Sequence, residues 1–283
     1  MPRLGKDRET YLRYRRYAVK TKGEVGMKTR KLLLGLSATI FVAYECFLYY
    51  LIHFKKADPN YILAYRTIIV ATIFAFATLL IKCLTARSCG EKISRILFNL
   101  RDGNLIRIAM VFTLIADYFL VVVTEDKSLT GVSVFLGTQL FIFLHILMND
   151  SERASRRRHI ITRLIAIPLM IALSYLILDG EPDTLAIVSM IYYANLLTSI
   201  LFAHRIGRGG IILTVGLILF ALCDVNVGLS ALDLMYVGGF PEGSLPYEML
   251  YGDYDLIWIF YIPSQTLIPL SILFHKEKEE RLE

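Results

Sequence analysis

The sequence predicts an all-α, polytopic membrane protein: eight transmembrane helices in two parallel four-helix halves, with both termini cytoplasmic. Three observations predict it. Of the 283 residues, 55% are apolar and 20% charged, and mean hydropathy is +0.54. An ordinary soluble domain is about 45–50% apolar and about 25% charged, so this chain is too greasy for one water-facing core. Stretches approaching or reaching the roughly 20 apolar residues that a bilayer-crossing helix needs occur along the whole chain. The basic residues, finally, segregate to alternate connections between those stretches. The net charge of +6 and pI near 9.0 would suit a soluble nucleic-acid binder, but in so apolar a chain a basic balance records topology. No nucleic-acid partner is expected.

The spans are placed at Leu32 to Phe54, Ile62 to Ile81, Ile106 to Thr124, Val132 to Met148, Ile160 to Leu178, Leu185 to His204, Ile211 to Leu232 and Leu256 to Phe274. The tail before span 1, the segments 82–107, 149–163 and 205–210, and the C-terminal tail together hold 27 of the 31 Lys and Arg residues. The four connections on the other side hold 3, and Arg66 lies inside span 2. By the positive-inside rule the basic side is cytoplasmic. This divides the chain into a basic tail (1–31), a membrane domain (32–274) and a charged C-terminal tail (275–283).

Some connections carry more than topology. The run Thr10-Tyr-Leu-Arg-Tyr-Arg-Arg-Tyr-Ala-Val mixes Arg with Tyr as interfacial helices do; the alternative is a solvated basic tail. Met27-Lys-Thr-Arg-Lys before Leu32 resembles the start of a signal peptide, but its apolar run is too long and no Ala-x-Ala site closes it, so it reads as an uncleaved first span. From Asp233 to Asp255 there are five acidic residues and no basic one, with four Gly and two Pro. That segment reads as an irregular loop on the outer side, either a lid or a plain connector. Pro168 is expected to break span 5, and Pro263 and Pro269 span 8. The four cysteines lack paired spacing, which supports neither a disulfide framework nor a zinc ribbon.

An ionisable residue in mid-membrane is costly and is by default a functional hypothesis. The candidates are Glu45, Arg66, Asp117, His145 and Asp224, with the uncharged Gln139, Asn195, Tyr261 and Gln265. At 1.5 Å per residue, Glu45 and Asp224 lie about 20 Å and Asp117 about 16 Å from the basic side of a core about 30 Å thick. Gln139, Asn195 and Gln265 fall near the midplane, Arg66 and Tyr261 in the outer third, and His145 nearer the basic side. Glu45 is also readable as a protonated packing residue, Arg66 as a snorkelling anchor, and His145 as a hydrogen-bonded core residue. Two aspartates at similar depth in one bundle are harder to justify as packing. The remaining histidines sit at span ends, which leaves no three-histidine metal site at one depth.

The chain also echoes itself. Phe135-Leu-Gly-Thr-Gln139 aligns with Tyr261-Ile-Pro-Ser-Gln265, and each segment follows a span with a single Asp, Asp117 in span 3 and Asp224 in span 7. Halves of four spans each share orientation and are related by an axis along the membrane normal. Such an axis would bring the two aspartates toward each other.

Taken together, Ala116-Asp117-Tyr-Phe-Leu, Gly137 with Phe141 and His145, Gly216-Leu-Ile-Leu-Phe220-Ala-Leu-Cys-Asp224, and Phe260-Tyr261-Ile-Pro-Ser-Gln265-Thr-Leu-Ile-Pro-Leu-Ser271 resemble the lysoplasmalogenase (YhhN-like) membrane proteins. The resemblance covers spans 2 to 8. It implies an enzyme that hydrolyses the vinyl-ether bond of lysoplasmalogens to a fatty aldehyde and a glycerophospho-alcohol. It makes Asp117 and Asp224 the catalytic pair, with a lysophospholipid substrate drawn from membrane lipid and no cofactor. Arg66 stands where the family usually has Lys, with Thr67 in place of a following Pro; Ala116 replaces a common Gly and Cys223 a common Ser. These departures touch substrate preference more than reaction class.

The chemistry suits two carboxyls. Enol-ether hydrolysis needs a proton on the β-carbon and a water on the resulting oxocarbenium ion. An apolar site favours a neutral carboxyl, and two carboxyls side by side do not easily both ionise. Asp117 and Asp224 are accordingly expected as the acid/base pair, titrating jointly. Gln265, Tyr261 and Gln139 are expected to orient water or glycerol oxygens, and Arg66 to meet the phosphate, with Glu45, Asn195 and His145 in the substrate-binding set. The rival readings are a proton-coupled transporter using the same carboxylates, a ceramidase-like metal hydrolase, for which the histidine supply looks inadequate, and a receptor or scaffold. A bacterial inner membrane and an endoplasmic reticulum fit equally well, and oligomeric state leaves no mark on the sequence.

Overall fold

A computed structural model describes residues 4–54, 61–88, 90–123, 128–237 and 239–274. Among these the regular elements are all helical, and eight are long and apolar enough to cross a membrane. They are span 1 (Gly23–Phe54), span 2 (Tyr65–Ala86), span 3 (Leu100–Val122), span 4 (Ser128–Asn149), span 5 (Arg153–Ile177), span 6 (Thr184–Ile206), span 7 (Arg208–Leu234) and span 8 (Leu256–Phe274). The C-terminal tail expected from residue 275 lies outside the described residues.

Around the bundle, span 2 packs on span 3, 3 on 4, 4 on 6, 6 on 7, 7 on 8, and 8 back on 2. This closes a ring of six helices in which spans 3 and 7 stand opposite each other, as do spans 2 and 6, and 4 and 8. Span 1 leans on the ring at spans 2 and 8, and span 5 at span 6. The packing order of spans 1 to 4 thus recurs in spans 5 to 8, as the internal echo predicts. The core inside the ring is built from side chains of all six members, among them Ile68, Met110, Ile142, Leu196, Leu217 and Ile262.

Close helix approach is set by small residues. At the span 3–4 interface, a Cβ added to Gly137 would stand 2.3 Å from the Phe112 ring. At the corresponding span 7–8 interface, one on Gly216 would stand 3.0 Å from Ile268. The chain enters span 3 through Gly103, whose φ of 80° is open to glycine, and neighbouring Asn104 donates its amide to the carbonyls of Ile96, Leu97 and Asn99.

Span 1 extends back into the basic tail as one continuous helix, Leu4–Phe54. Its lower part docks through Gly26 against Ser88 and through Arg30, which pairs with Glu91. Pro168, Pro263 and Pro269 do not break their spans, since the helices Arg153–Ile177 and Leu256–Leu270 continue through them. Intramembrane helices tolerate proline because neighbouring groups satisfy the freed backbone. The acidic segment after span 7 is less irregular than expected. It contains the helix Leu245–Tyr251, capped by the Ser244 hydroxyl, and it is tied back to span 7 where Asp233 accepts from the Tyr251 hydroxyl at 2.6 Å and the Phe240 N–H at 2.5 Å.

Candidate active site

Asp117 ends the regular helix of span 3, where the backbone widens into a π-helical turn over Tyr118–Val122. Wider turns of this kind are often found at functional positions. Its carboxylate is buried and accepts a hydrogen bond from the Tyr261 hydroxyl, on span 8. Asp224, on span 7 across the ring, accepts from the Tyr192 hydroxyl of span 6 at 2.5 Å. The two carboxylates lie close enough to interact electrostatically, and Tyr192 is within reach of both charges. The ring therefore converges the two aspartates that lie 107 positions apart in the chain, the difference between positions 117 and 224.

An aromatic frame fixes this geometry. Phe220, one turn from Asp224, has its ring 6.1 Å from that of Tyr261 and 5.7 Å from that of Phe135. Phe135 in turn lies 5.7 Å from Tyr192, and Trp258 stands edge-on to Tyr261 at 5.5 Å. Stiff rings have few rotamers to lose, so they hold the two phenol hydroxyls on their carboxylates.

Gln139 on span 4 and Gln265 on span 8 are 0% and 1% exposed, and neither amide oxygen nor amide nitrogen of either has a hydrogen-bond partner among the described residues. A buried amide without partners costs free energy comparable to several lost hydrogen bonds. The two stand on opposite members of the ring, with their donors and acceptors unspent. Tyr65 of span 2 donates to the Leu114 carbonyl at 3.1 Å and lies within the field of Asp117. Spans 2, 3, 6, 7 and 8 thus bring a polar side chain to this layer.

The remaining expected site residues lie elsewhere. Arg66 is exposed, beside the buried Thr67 and Ile68. Glu45 is buried outside the ring, against Thr67, on the face of span 1 that carries Phe41 and Leu48. Asn195 is half-buried one turn below Tyr192 and donates to the Ile191 carbonyl at 2.7 Å. His145 is fully buried toward the basic end, with the Asn149 amide 3.3 Å from Nδ1. Among the described residues no group of three His, Cys, Asp or Glu could hold a metal ion.

Sequence reasoning missed Tyr192, whose signal, a tyrosine one turn from Asn195 in an apolar span, is too common to single out. It also missed the buried arginines. Arg107 donates to the Ala75 and Asp102 carbonyls, the Asn104 amide oxygen and the Thr78 hydroxyl, while Arg163 donates to Ser199 and lies 3.9 Å over the Phe143 ring. Their positions next to basic connections made them look like topology charges.

Eight such helices around a tyrosine-held carboxylate pair define a multi-pass membrane protein with a candidate site inside the bundle. The YhhN family, the family of lysoplasmalogenases, matches over residues 75–272, and the chain belongs to it. No curated protein and no solved structure matches the chain significantly.

Proposed function

We propose that the protein is a lysoplasmalogenase-type ether hydrolase that cleaves the vinyl-ether bond of a 1-alkenyl-glycerophospholipid carrying ethanolamine or choline. The observation that carries this reading is the convergence of Asp117 and Asp224 across the ring, each held by a phenol hydroxyl, in a ring that also buries two glutamines with unmet hydrogen-bonding capacity. Membership of the YhhN family points the same way.

In the proposed reaction one aspartic acid of the pair gives its proton to the β-carbon of the enol ether, and the C=C electrons form the new C–H bond. The oxocarbenium ion that results sits beside the other, ionised aspartate, which offsets its charge. Water adds at the α-carbon as that carboxylate takes its proton. The hemiacetal then breaks its C–O bond to the glycerol, leaving a fatty aldehyde and a glycerophospho-alcohol, with one water consumed and the pair's single proton restored. Gln139 and Gln265 supply donors and acceptors for the water and the glycerol oxygens. The basic end would face the cytoplasm.

Purified protein should release aldehyde from vinyl-ether lysolipids and not from matched alkyl-ether or acyl lysolipids. Asp117→Asn and Asp224→Asn should each lower kcat by roughly 10²- to 10⁴-fold, the usual contribution of a positioned acid or base. Wild-type turnover in either variant would overturn the paired mechanism. The repeat of the two halves also suits a transporter; uptake of unchanged solute into proteoliposomes, with no aldehyde formed, would decide for that reading.

A further inference from the structure

At the acidic end, between the tops of spans 7 and 8 and the helix Leu245–Tyr251, lies a cavity of about 220 Å³. Its walls include Tyr251, Tyr254 and Asp255, and its floor includes Ser230 and Ile257. The wall is unusual in what it lacks. No Lys or Arg occurs between Asp233 and Asp255, whereas Glu242, Glu248 and Asp253 add negative charge to the same segment. His53 lies near enough to Asp255 to interact with it but does not line the cavity.

Two tyrosines with a carboxylate and no cation are a poor match for a phosphate and a good one for a substituted ammonium, which is attracted to the faces of aromatic rings. The ring of Tyr251 is fixed because its hydroxyl donates to Asp233. Asp255 is fixed as the cap of span 8, where one carboxylate oxygen accepts from the N–H groups of Ile257 and Trp258.

The cavity also sits in register with the aspartate pair. Ser230 is six residues beyond Asp224 on span 7, and Ile257 four residues before Tyr261 on span 8. At 1.5 Å per residue the cavity floor is therefore about 6–9 Å from the pair along the helix axes. In an extended glycerophospho-amine the nitrogen lies nine bonds from the ether oxygen, roughly 11 Å at ordinary bond lengths. A vinyl ether at the carboxylates would place its ammonium in this cavity.

We propose that the Tyr251–Tyr254–Asp255 cavity is the subsite for the ammonium head group of the lysolipid, which rests on the vinyl-ether reading of the aspartate pair. Its partner is the cationic end of a zwitterionic lipid, and it favours choline or ethanolamine over a lipid ending in bare phosphate.

Two measurements test this. The first does not depend on turnover: saturation-transfer NMR on the full chain in a maltoside detergent, with alkyl-ether lysophosphatidylcholine, which has no vinyl bond to cleave, and with free choline. The lipid's trimethylammonium protons should receive saturation from wild type and from Tyr254→Phe, which keeps the ring. They should lose most of it in Tyr254→Ala and in Asp255→Asn, which keeps the cap. The second is steady-state hydrolysis. Tyr254→Ala should raise KM for choline and ethanolamine vinyl-ether lysolipids roughly 3- to 30-fold, the range expected of a cation–aromatic contact. Its kcat should stay within about twofold, and its KM for the bare-phosphate vinyl-ether lysolipid should not change. No saturation transfer to the head group, equal transfer in Tyr254→Ala, or an equal KM rise for the bare-phosphate lipid would overturn the subsite. Equal transfer to free choline would replace the lipid by a soluble amine. Head-group saturation without aldehyde release from any lipid would keep the subsite and sink the hydrolase reading.

Discussion

The two halves of the membrane domain share a packing order and differ in wiring. In each, the third helix carries one aspartate, buried in the first half and half-buried in the second, and the fourth one glutamine, and the first helix leans on the ring from outside. Asp117 of the first half is held from the other half, by Tyr261 on span 8, whereas Asp224 is held from within its own half, by Tyr192 on span 6. At the position that aligns with Tyr261 the first half has Phe135, which contacts Phe220 and Tyr192 but carries no hydroxyl. Two identical carboxyls can take different parts in one reaction only if their surroundings differ. A duplicated framework supplies the pair, and its hydroxyls are wired differently: Phe135 has none, and Tyr65 donates to the Leu114 carbonyl where Tyr192 donates to Asp224.

After the aspartates themselves, the largest effects should come from the two tyrosines. Tyr261→Phe and Tyr192→Phe each strip a carboxylate of its donor at constant ring volume. An abandoned buried partner costs about 1–3 kcal/mol, or roughly 5- to 150-fold in kcat/KM. If the wiring matters more than the repeat, the two variants should shift the pH–rate profile differently, which a profile on each variant measures; superimposable profiles would mean that the carboxyls are equivalent. Phe135→Tyr in the Tyr192→Phe background tests the repeat itself. A hydroxyl at the position aligned with Tyr261 should reach toward Asp224 and recover several-fold of the lost activity, within the value of one hydrogen bond to a charged group, about 1.5–3 kcal/mol.

Smaller and purely structural effects should separate the two glycine interfaces. Gly137→Ala puts a methyl 2.3 Å from a Phe112 ring that is itself packed 5.2 Å from Phe141, so the ring has little room to move. Gly216→Ala meets Ile268 and Leu267 at 3.0–3.2 Å, including the Ile268 backbone nitrogen. Overpacking costs about 1–3 kcal/mol, and thermal unfolding in detergent should place Gly137→Ala at the upper end and Gly216→Ala at the lower. The reverse order would mean that the span 7–8 interface is the more rigid of the two.

Much of this was legible because membrane physics writes large signals. The eight spans follow from runs of apolar residues, and Asp117, Asp224, Gln139, Gln265 and Tyr261 stand out because polar groups are rare there. What sequence could not give is which side of a helix faces inward when nearly every residue on it is apolar. Arg66 and Thr67 are neighbours, yet one is exposed and the other buried. Glu45 is as deep as the aspartates but sits on a helix outside the ring, a difference that depth alone does not reveal. Tyr192 was hidden for the opposite reason: an aromatic residue in a span is unremarkable until its hydroxyl is seen on a carboxylate.

The smallest effect belongs to the outermost helices. Span 1 presents a buried face, Phe41, Glu45 and Leu48, to the ring, and Phe41 stacks on Phe74 at 4.3 Å. Span 5 packs on span 6 and turns Leu164, Ile165, Leu169 and Leu176 outward, each more than 60% exposed. In a bilayer those side chains face lipid tails as apolar as themselves, so removing one forfeits no burial within the protein. Leu169→Ala should change stability by about 0.5 kcal/mol or less, against roughly 3–5 kcal/mol for Phe41→Ala, which opens a cavity between packed helices. Urea or thermal unfolding of the two variants in the same detergent measures the contrast. A loss of more than about 1 kcal/mol in Leu169→Ala would mean that span 5 is covered by another protein surface, since lipid alone would not register the change.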